Sequence, residues 1–398
     1  MTREEQIKAL TAEIEEELVQ IRRCIHRRPE IAREERETAA LITKELEKLE
    51  GLEVYSGLAG GTGVMAVLKG GLPGKCVIVR ADIDALPVQE QSGVDFASEI
   101  EGKMHACGHD AHATWVLGAA KVLSKMREQV PGTIKFIFQP GEEVSFGAKE
   151  LILEDHVLEN PAVDCALAAH VWPTVKAGTI GIAQRYAFGC PATFQINIKG
   201  KGGHGAMPHL AINPIAIAGR ICAQAPTILA EKIIGLEPRV LTFCSIHAGT
   251  TGNIIPDNCE IMGTIRSTDM DVTQQIAREL EALVKSCCEF SGASYDFSLR
   301  AGLYPVRNDP KMIEICRRSA AKMLGEEQVE LISEDHLAAD NFSEFSRRVP
   351  AVYFYAGNWA EGDAEPISLH NPKFNVDERL LGRVTQVLCE TVFELNQD

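Results

Sequence analysis

Positive charge is what this sequence has too little of. Against 40 Lys and Arg stand 56 Asp and Glu, a formal net charge of −16. That balance repels the phosphate backbone of nucleic acid and an anionic membrane face, so neither is expected as a partner. Long apolar runs are missing as well, since none approaches the roughly 20 residues that a membrane span needs. The opening stretch MTREEQIKALTAEIEEELVQIRR is charged throughout and has no apolar core, so it does not read as a secretory signal. Repeats and low-complexity tracts are absent too, leaving an ordinary globular chain.

Cysteine is plentiful but unorganised. The 12 thiols (Cys24, Cys76, Cys107, Cys165, Cys190 and onward) are scattered over 398 residues, not grouped as in a small disulfide scaffold. We therefore expect free thiols and a cytoplasmic protein. The adjacent Cys287 and Cys288 fall in a helical pattern, where packing is the simpler reading.

At 398 residues, 45% hydrophobic and 24% charged, the chain suits a soluble protein of two domains. Ile7, Leu10, Ile14, Leu18, Ile21 and Ile25 recur at three and four, predicting a helix over 3–27. A second helix is expected over about 34–49. Apolar runs follow at 63–68, 76–79, 133–138 and 166–169, with helices to about 126 and over 147–153. Strand and helix alternate, so the fold class is α/β with a mostly parallel sheet flanked by helices. From about residue 188 the texture changes. Phe194, Ile196 and Ile198 alternate on one strand face. The order strand–helix–strand–strand–helix–strand then predicts a smaller α+β domain with an antiparallel sheet. We place it at 187–300, inserted between 1–186 and 301–398. The α/β texture then resumes: helices over 309–324 and 377–395, and a strand over 351–355.

The stretch Met104-His105-Ala106-Cys107-Gly108-His109-Asp110-Ala111-His112 packs a thiol, three imidazoles and a carboxylate into nine residues at the start of a helix. It reads as half a metal site or as a set of buried, hydrogen-bonded core residues. Further candidates stand at the ends of apolar runs: Glu143 after 133–138, His170 after 166–169, and His370 in a late loop. Each alone reads equally well as a hydrogen-bonded surface or core residue. Together, Cys107, His109, Glu143, His170 and His370 exceed what one tetrahedral ion needs, which suggests two ions sharing a ligand. Thiolate and imidazole suit zinc; a carboxylate also admits manganese, and the same donors accept cobalt or nickel. Two adjacent glutamates on an extended segment face opposite ways. If Glu143 binds metal, Glu142 is free to move a proton between water and a leaving amine. The plainer reading makes the pair a solvated helix start. Asp82 and Asp84 are candidates for orienting a ligand imidazole.

RADIDALP, MHACGHDAHA, FQPGEE, AAHVWP, GKGGHGAMPH, NIIPD, GTIRS and LHNPKF occur in this order. The set resembles the aminoacylase, hippurate hydrolase and plant auxin-conjugate amidohydrolase branch (subfamily D) of the M-twenty family of dinuclear metallopeptidases. The resemblance covers essentially the whole chain. It implies two divalent ions held by Cys107, His109, Glu143, His170 and His370, with Cys107 as the bridge, and Glu142 as general acid and base. It implies that 187–300 is a dimerisation domain, making a homodimer or larger homo-oligomer. His204 would then stabilise the oxyanion or the substrate carboxylate, in its own subunit or its partner's. Asn253 and Arg266 become candidates for the carboxylate of the amino-acid half, Arg through its bidentate fork; a structural ion pair explains Arg266 equally well.

Three departures from the family pattern stand out. Asp340-Asn341 replaces the usual Glu-Asp, Pro140-Gly141 replaces Pro-Ala, and Val144-Ser145-Phe146 replaces a glycine-rich run. They leave the ligand set intact and bear on substrate preference, with Phe146 a candidate to line the acyl pocket. The expected activity is metal-dependent hydrolysis of N-acyl-amino acids. The rivals are a dipeptidase or carboxypeptidase with the same site, a thiol hydrolase in which Cys107 attacks, and a binding protein without catalysis.

Overall fold

A computed structural model describes residues 1–235, 238–360, 362 and 365–396. The chain divides into two compact units. One comprises Met1–Ala187, Val306–Glu334 and Asp340–Asp398; the other comprises Phe188–Pro305 and Asp335–Ala339.

The first unit is built on an eight-stranded mixed sheet. At its centre the strands Pro131–Gln139, Leu72–Asp82, Cys165–Lys176 and Ala351–Trp359 run parallel in that order. Beyond Pro131–Gln139 lie Gly63–Lys69 and then Leu52–Leu58, both pairings antiparallel. On the other side Ile180–Ala183 joins antiparallel, and Val329–Ile332 closes that edge parallel. The central strands are apolar on both faces, as a sheet covered on both sides requires.

Helices Arg3–Arg27, His109–Lys125 and Arg379–Glu394 pack together. The first begins with a reciprocal Thr2–Glu5 cap and buries Ile7, Ile14, Leu18, Ile21 and Ile25. The second is buried along almost its whole length, from His109 to Leu123. Gly118 allows the close approach: a Cβ there would lie 2.5 Å from Thr385 Oγ1 and 3.1 Å from Leu18 Cδ1. Each fully buried Leu or Ile in this layer contributes roughly 1.5–3 kcal/mol.

Two expectations of extent need correction. The strand expected to end before His170 runs on through Lys176. Its pairing with the Leu72–Asp82 strand stops at Ala168, so one edge is open where His170 and Pro173 lie, and proline's missing N–H is tolerated there. In the second unit, the single helix expected over 213–231 is broken at Ala225, because Pro226 opens a second short helix.

The second unit holds a four-stranded antiparallel sheet ordered Arg239–His247, Asn258–Ser267, Cys190–Lys199, Ser294–Ala301. Phe194, Ile196 and Ile198 point into its core with Ile217, Ile221, Ile276, Leu280 and Val284 from the helices Pro214–Gln224 and Met270–Ser291. Among the described residues no helix is long and apolar enough to cross a membrane. All 12 cysteines are free.

Candidate metal centre

The sheet gathers its chemistry where strands end. Leu72–Asp82 delivers Asp82 and then Asp84, both buried. Pro131–Gln139 ends in the turn that carries Glu142 and Glu143, entered through Gly141 at φ 67°. Gly108, at φ 85°, turns the chain into the His109 helix. A Cβ at that position would lie 2.5 Å from Val171 Cγ1, so a side chain there meets both strain and a clash. His370 stands at φ 63°, a left-handed backbone that histidine seldom adopts, and its N–H donates to Ala106 O at 2.8 Å. That bond lays His370 beside Cys107.

The structure brings Cys107, His109, Glu143, His170 and His370 together. Among the groups with donor atoms within 4.8 Å of one another are two that contain Cys107, one with His109 and His170 and one with Glu143 and His370; the others are Asp82 with His109 and His112, and His109 with Glu142 and Glu143. Cys107 Sγ lies 3.4 Å from His170 Nε2. A tetrahedral ion with ordinary Zn–S and Zn–N bonds sets its two ligands roughly 3.6 Å apart. His109 Nε2 and Glu143 Oε1 are 3.9 Å apart, both buried, and neither makes a hydrogen bond. Glu143 Oε1 is also 3.4 Å from His370 Nε2 without bonding it. Buried donors aimed at one another with nothing between them fit a pair of divalent ions.

The remaining ring nitrogens are used up, which fixes the tautomers. His109 Nδ1 donates to Asp84 Oδ1 at 3.1 Å, and Asp84 Oδ2 accepts from the Glu143 N–H at 3.0 Å. His170 Nδ1 donates to Val171 O at 2.6 Å. Each leaves Nε2 facing the centre. His112 is different. Its Nδ1 donates to Asp82 Oδ1 at 2.6 Å, and its Nε2 accepts from the Val171 N–H at 3.1 Å. Having no free lone pair, it supports the site and holds no ion. His105 is fully buried with neither ring nitrogen bonded, and burial pulls it down to about 3. Asp110 accepts from Arg22 Nε at 2.7 Å and bonds His26 Nδ1 at 2.8 Å, tying the helix to the N-terminal one.

Charge in this pocket is strongly coupled. Burial raises the Cys107 thiol well above its usual range, and Glu143 adds to the rise. Burial opposes protonation of His109, but Asp82 and Cys107 outweigh it and hold its pKa high. His170 is held well below its ordinary value by burial and by His112. Glu142 is pushed well up by desolvation, Asp340 and Glu143. Burial also works against charge on Glu143, yet His370 and His109 keep it low. The two adjacent glutamates are thus driven apart, one toward the proton and one away from it.

Arg80 and Glu35, which the sequence did not single out, belong to the same network, and so does Phe146, which it did. Arg80, buried two positions before Asp82 on the same strand face, donates to Asp82 Oδ2 at 2.8 Å. Its presence inside an apolar run was a readable signal. Glu35, fully buried, accepts from Gly141 N and Thr62 Oγ1, each at 2.9 Å. Phe146 lies against Gly141 and Gly60, with the Arg33 guanidinium 4.8 Å from its ring centre.

His204, Asn253 and Arg266 belong to the second unit. His204 is exposed on a two-residue strand that pairs with Ile254, next to Asn253. Its Nδ1 accepts from Ala206 N at 3.1 Å. Arg266 is half-buried, and its Nε donates to Thr264 Oγ1 at 3.1 Å. It stands eight residues along its strand from Asn258, about 26 Å at 3.3 Å per residue, whereas Asn253 lies beyond that strand's start.

A set of strand ends that collects thiol, imidazole and carboxylate donors beside a second glutamate of raised pKa defines a metallohydrolase. The chain belongs to Peptidase family M20/M25/M40, whose model matches residues 78–394, and it is an enzyme that hydrolyses amide bonds. It is 37% identical over 379 residues to thermostable carboxypeptidase 2 of Saccharolobus solfataricus, covering 95% of each chain. It is 39% identical over 308 residues to an N-acyl-L-amino acid amidohydrolase of Geobacillus stearothermophilus, covering 77% of this chain and 82% of that one. A crystal structure of a dinuclear metal binding peptidase from Bacillus subtilis superposes with a TM-score of 0.82 at 30% identity, covering 97% of this chain and 99% of that one.

Proposed function

We propose that this enzyme is a cytoplasmic, dinuclear-metal amidohydrolase of the aminoacylase and hippurate-hydrolase branch (subfamily D), cleaving N-acyl-amino acids to a carboxylic acid and a free amino acid. One observation carries the reading. Cys107 is shared by two donor groups, and beside them Glu142, adjacent to Glu143, comes within reach of His109 and accepts the Asn341 N–H. The name of the Geobacillus relative supports the substrate class.

Cys107, His109, Glu143, His170 and His370 would hold two divalent ions, zinc or manganese, Cys107 being the donor common to two of the groups. When bound, the ions supply Lewis acidity to the scissile carbonyl and to the attacking water. Glu142 takes the proton of that water and returns it to the leaving nitrogen; desolvation, Asp340 and Glu143 raise its pKa, which favours holding the proton between the two steps. Asp84 and the Val171 carbonyl keep His109 and His170 with Nε2 forward. His204 stabilises the oxyanion or the substrate carboxylate. Asn253 and Arg266 are far apart within one chain, so they meet one carboxylate only across two subunits. That favours a dimer assembled through the second unit.

Glu142→Gln should retain both metals by elemental analysis while kcat on the best N-acyl substrate falls roughly 10²–10⁴-fold. Near-normal turnover would sink the mechanism. Loss of activity with EDTA and recovery with Mn²⁺ or Zn²⁺ separates it from thiol attack by Cys107. A second reading, carboxypeptidase action, is favoured by the name of the Saccharolobus relative. Comparing N-acetyl, N-benzoyl and indole-acyl amino acids with dipeptides bearing a free amine decides between them.

A further inference from the structure

The bonds around the Gly141–Phe146 turn converge on Asn341, which is buried. Arg80 is the reference point, because a guanidinium only donates. Its Nε donates to Gln139 Oε1 at 3.0 Å and its Nη2 to Asn341 Oδ1 at 3.1 Å. Both amide oxygens are thereby turned toward Arg80, and both amide nitrogens away from it. The two nitrogens meet one acceptor, the Phe146 carbonyl, at 3.2 Å from Gln139 Nε2 and 2.7 Å from Asn341 Nδ2. Gln139 Nε2 also donates to Asn341 Oδ1 at 2.7 Å. The main-chain N–H of Asn341 donates to Glu142 Oε1 at 3.3 Å.

One residue thus holds the far end of the turn by its side chain and the carboxylate by its main chain. The turn needs holding. Ser145, at φ 58°, is in the left-handed region, and such a backbone persists only where its surroundings over-determine it. Arg80 is itself fixed by Asp82 Oδ2 at 2.8 Å and Asp340 Oδ2 at 3.3 Å, and the Tyr353 hydroxyl donates to Asp340 at 2.6 Å. Because Asp82 also holds His112, the same frame supports the imidazole side of the centre. In this chain the side chain at position 341 works as an amide. It accepts from Arg80 and Gln139 while donating to Phe146 O; a carboxylate would set two acceptors face to face at that last contact.

We propose that Asn341 is a positioning residue for amide hydrolysis, setting the direction in which Glu142 faces by holding the 141–146 turn through the Phe146 carbonyl. This rests on Glu142 being the base, as read above.

The test compares N341D, N308D and E142Q with the wild type, each loaded with Mn²⁺. Asn308 is a buried amide in the same unit that bonds Ala183 O and Tyr353 O, away from the turn. Two readouts are taken: kcat and KM on the N-acyl-amino acid turned over fastest by the wild type, and amide hydrogen exchange of residues 141–147. N341D should lose roughly 10–100-fold in kcat with KM within about twofold and metal content unchanged. Exchange in 141–147 should quicken at least tenfold. N308D should lose thermal stability without either change. The proposal is overturned if N341D keeps wild-type kcat and exchange. It is equally overturned if N341D merely loses stability, as N308D does, or merely loses metal. If E142Q stays active, the reading of Glu142 has failed, and the exchange result still decides whether Asn341 holds the turn.

Discussion

His112 sits in the middle of the centre and donates nothing to it. Both its nitrogens are engaged, one by the Asp82 carboxylate and one by the Val171 N–H. Burial lowers its pKa and Asp82 opposes that, so it stays a neutral strut with a fixed tautomer. Its value lies in where it puts Val171 and Asp82, and through them His170 and Arg80. His112→Ala should therefore weaken metal binding by roughly 10–100-fold, measured by competition with a chromophoric chelator, while the protein still folds. An unchanged affinity would reduce His112 to packing. At this scale the sequence was legible in kind more than in partnership. Cys107, His109, Glu143, His170 and His370 could be read because thiols, imidazoles and acids stood at the ends of apolar runs. The partners of His105 and His112 could not, because they depend on what the fold sets against each ring nitrogen. Asn341 stood out only as a departure from the family pattern; its partners, like those of Glu35, were out of reach because they are distant in sequence and leave no periodic trace.

Among the elements, the helix beginning at His109 is pinned to the N-terminal helix by charge. His26 bonds Asp110 Oδ2 through Nδ1 at 2.8 Å and lies 3.1 Å from Glu90 Oε1 through Nε2, while Arg22 donates to Asp110. Burial lowers the His26 pKa and Arg22 opposes its charge, but Asp110 and Glu90 outweigh them and raise it. The charged imidazole is therefore bound more tightly in the folded state than in the unfolded chain. Its stabilisation is complete below the unfolded value of about 6.5 and fades as pH rises through the folded pKa. The stability gap between wild type and His26→Gln, from denaturant unfolding, should be widest near pH 6 and narrow toward pH 9. A gap growing with pH would reverse the assignment. Helices were the best-read elements, as the 3–27 stripe and the resulting Arg3–Arg27 helix illustrate. Short strands such as Ile180–Ala183 and, at the edge of the sheet, Val329–Ile332 went unread, because four residues are too few to show a period.

For the whole molecule, the open question is how many chains make one working site. His204, Asn253 and Arg266 sit in a unit with its own core, and Asp335–Ala339 joins that unit from far along the sequence, a return that no local pattern announces. If His204 serves a neighbouring subunit, a mixture of two inactive variants, His204→Ala and Glu142→Gln, should recover up to about a quarter of wild-type activity after exchange of subunits. Each variant alone should stay inactive. No recovery in mixed dimers, verified by mass, would place His204 in its own chain's site.

The partners of Glu142 carry one more consequence. On the protein side its carboxylate receives an N–H from Asn341, and behind that stand Arg80 and two amides whose oxygens already face the guanidinium. A peptide N–H and a guanidinium have no lone pair to offer, and an amide is too weak a base to take a proton. If Glu142 captures the proton of water, that proton finds no base along Asn341, Arg80 and the two amides. On that side the network acts as an insulator.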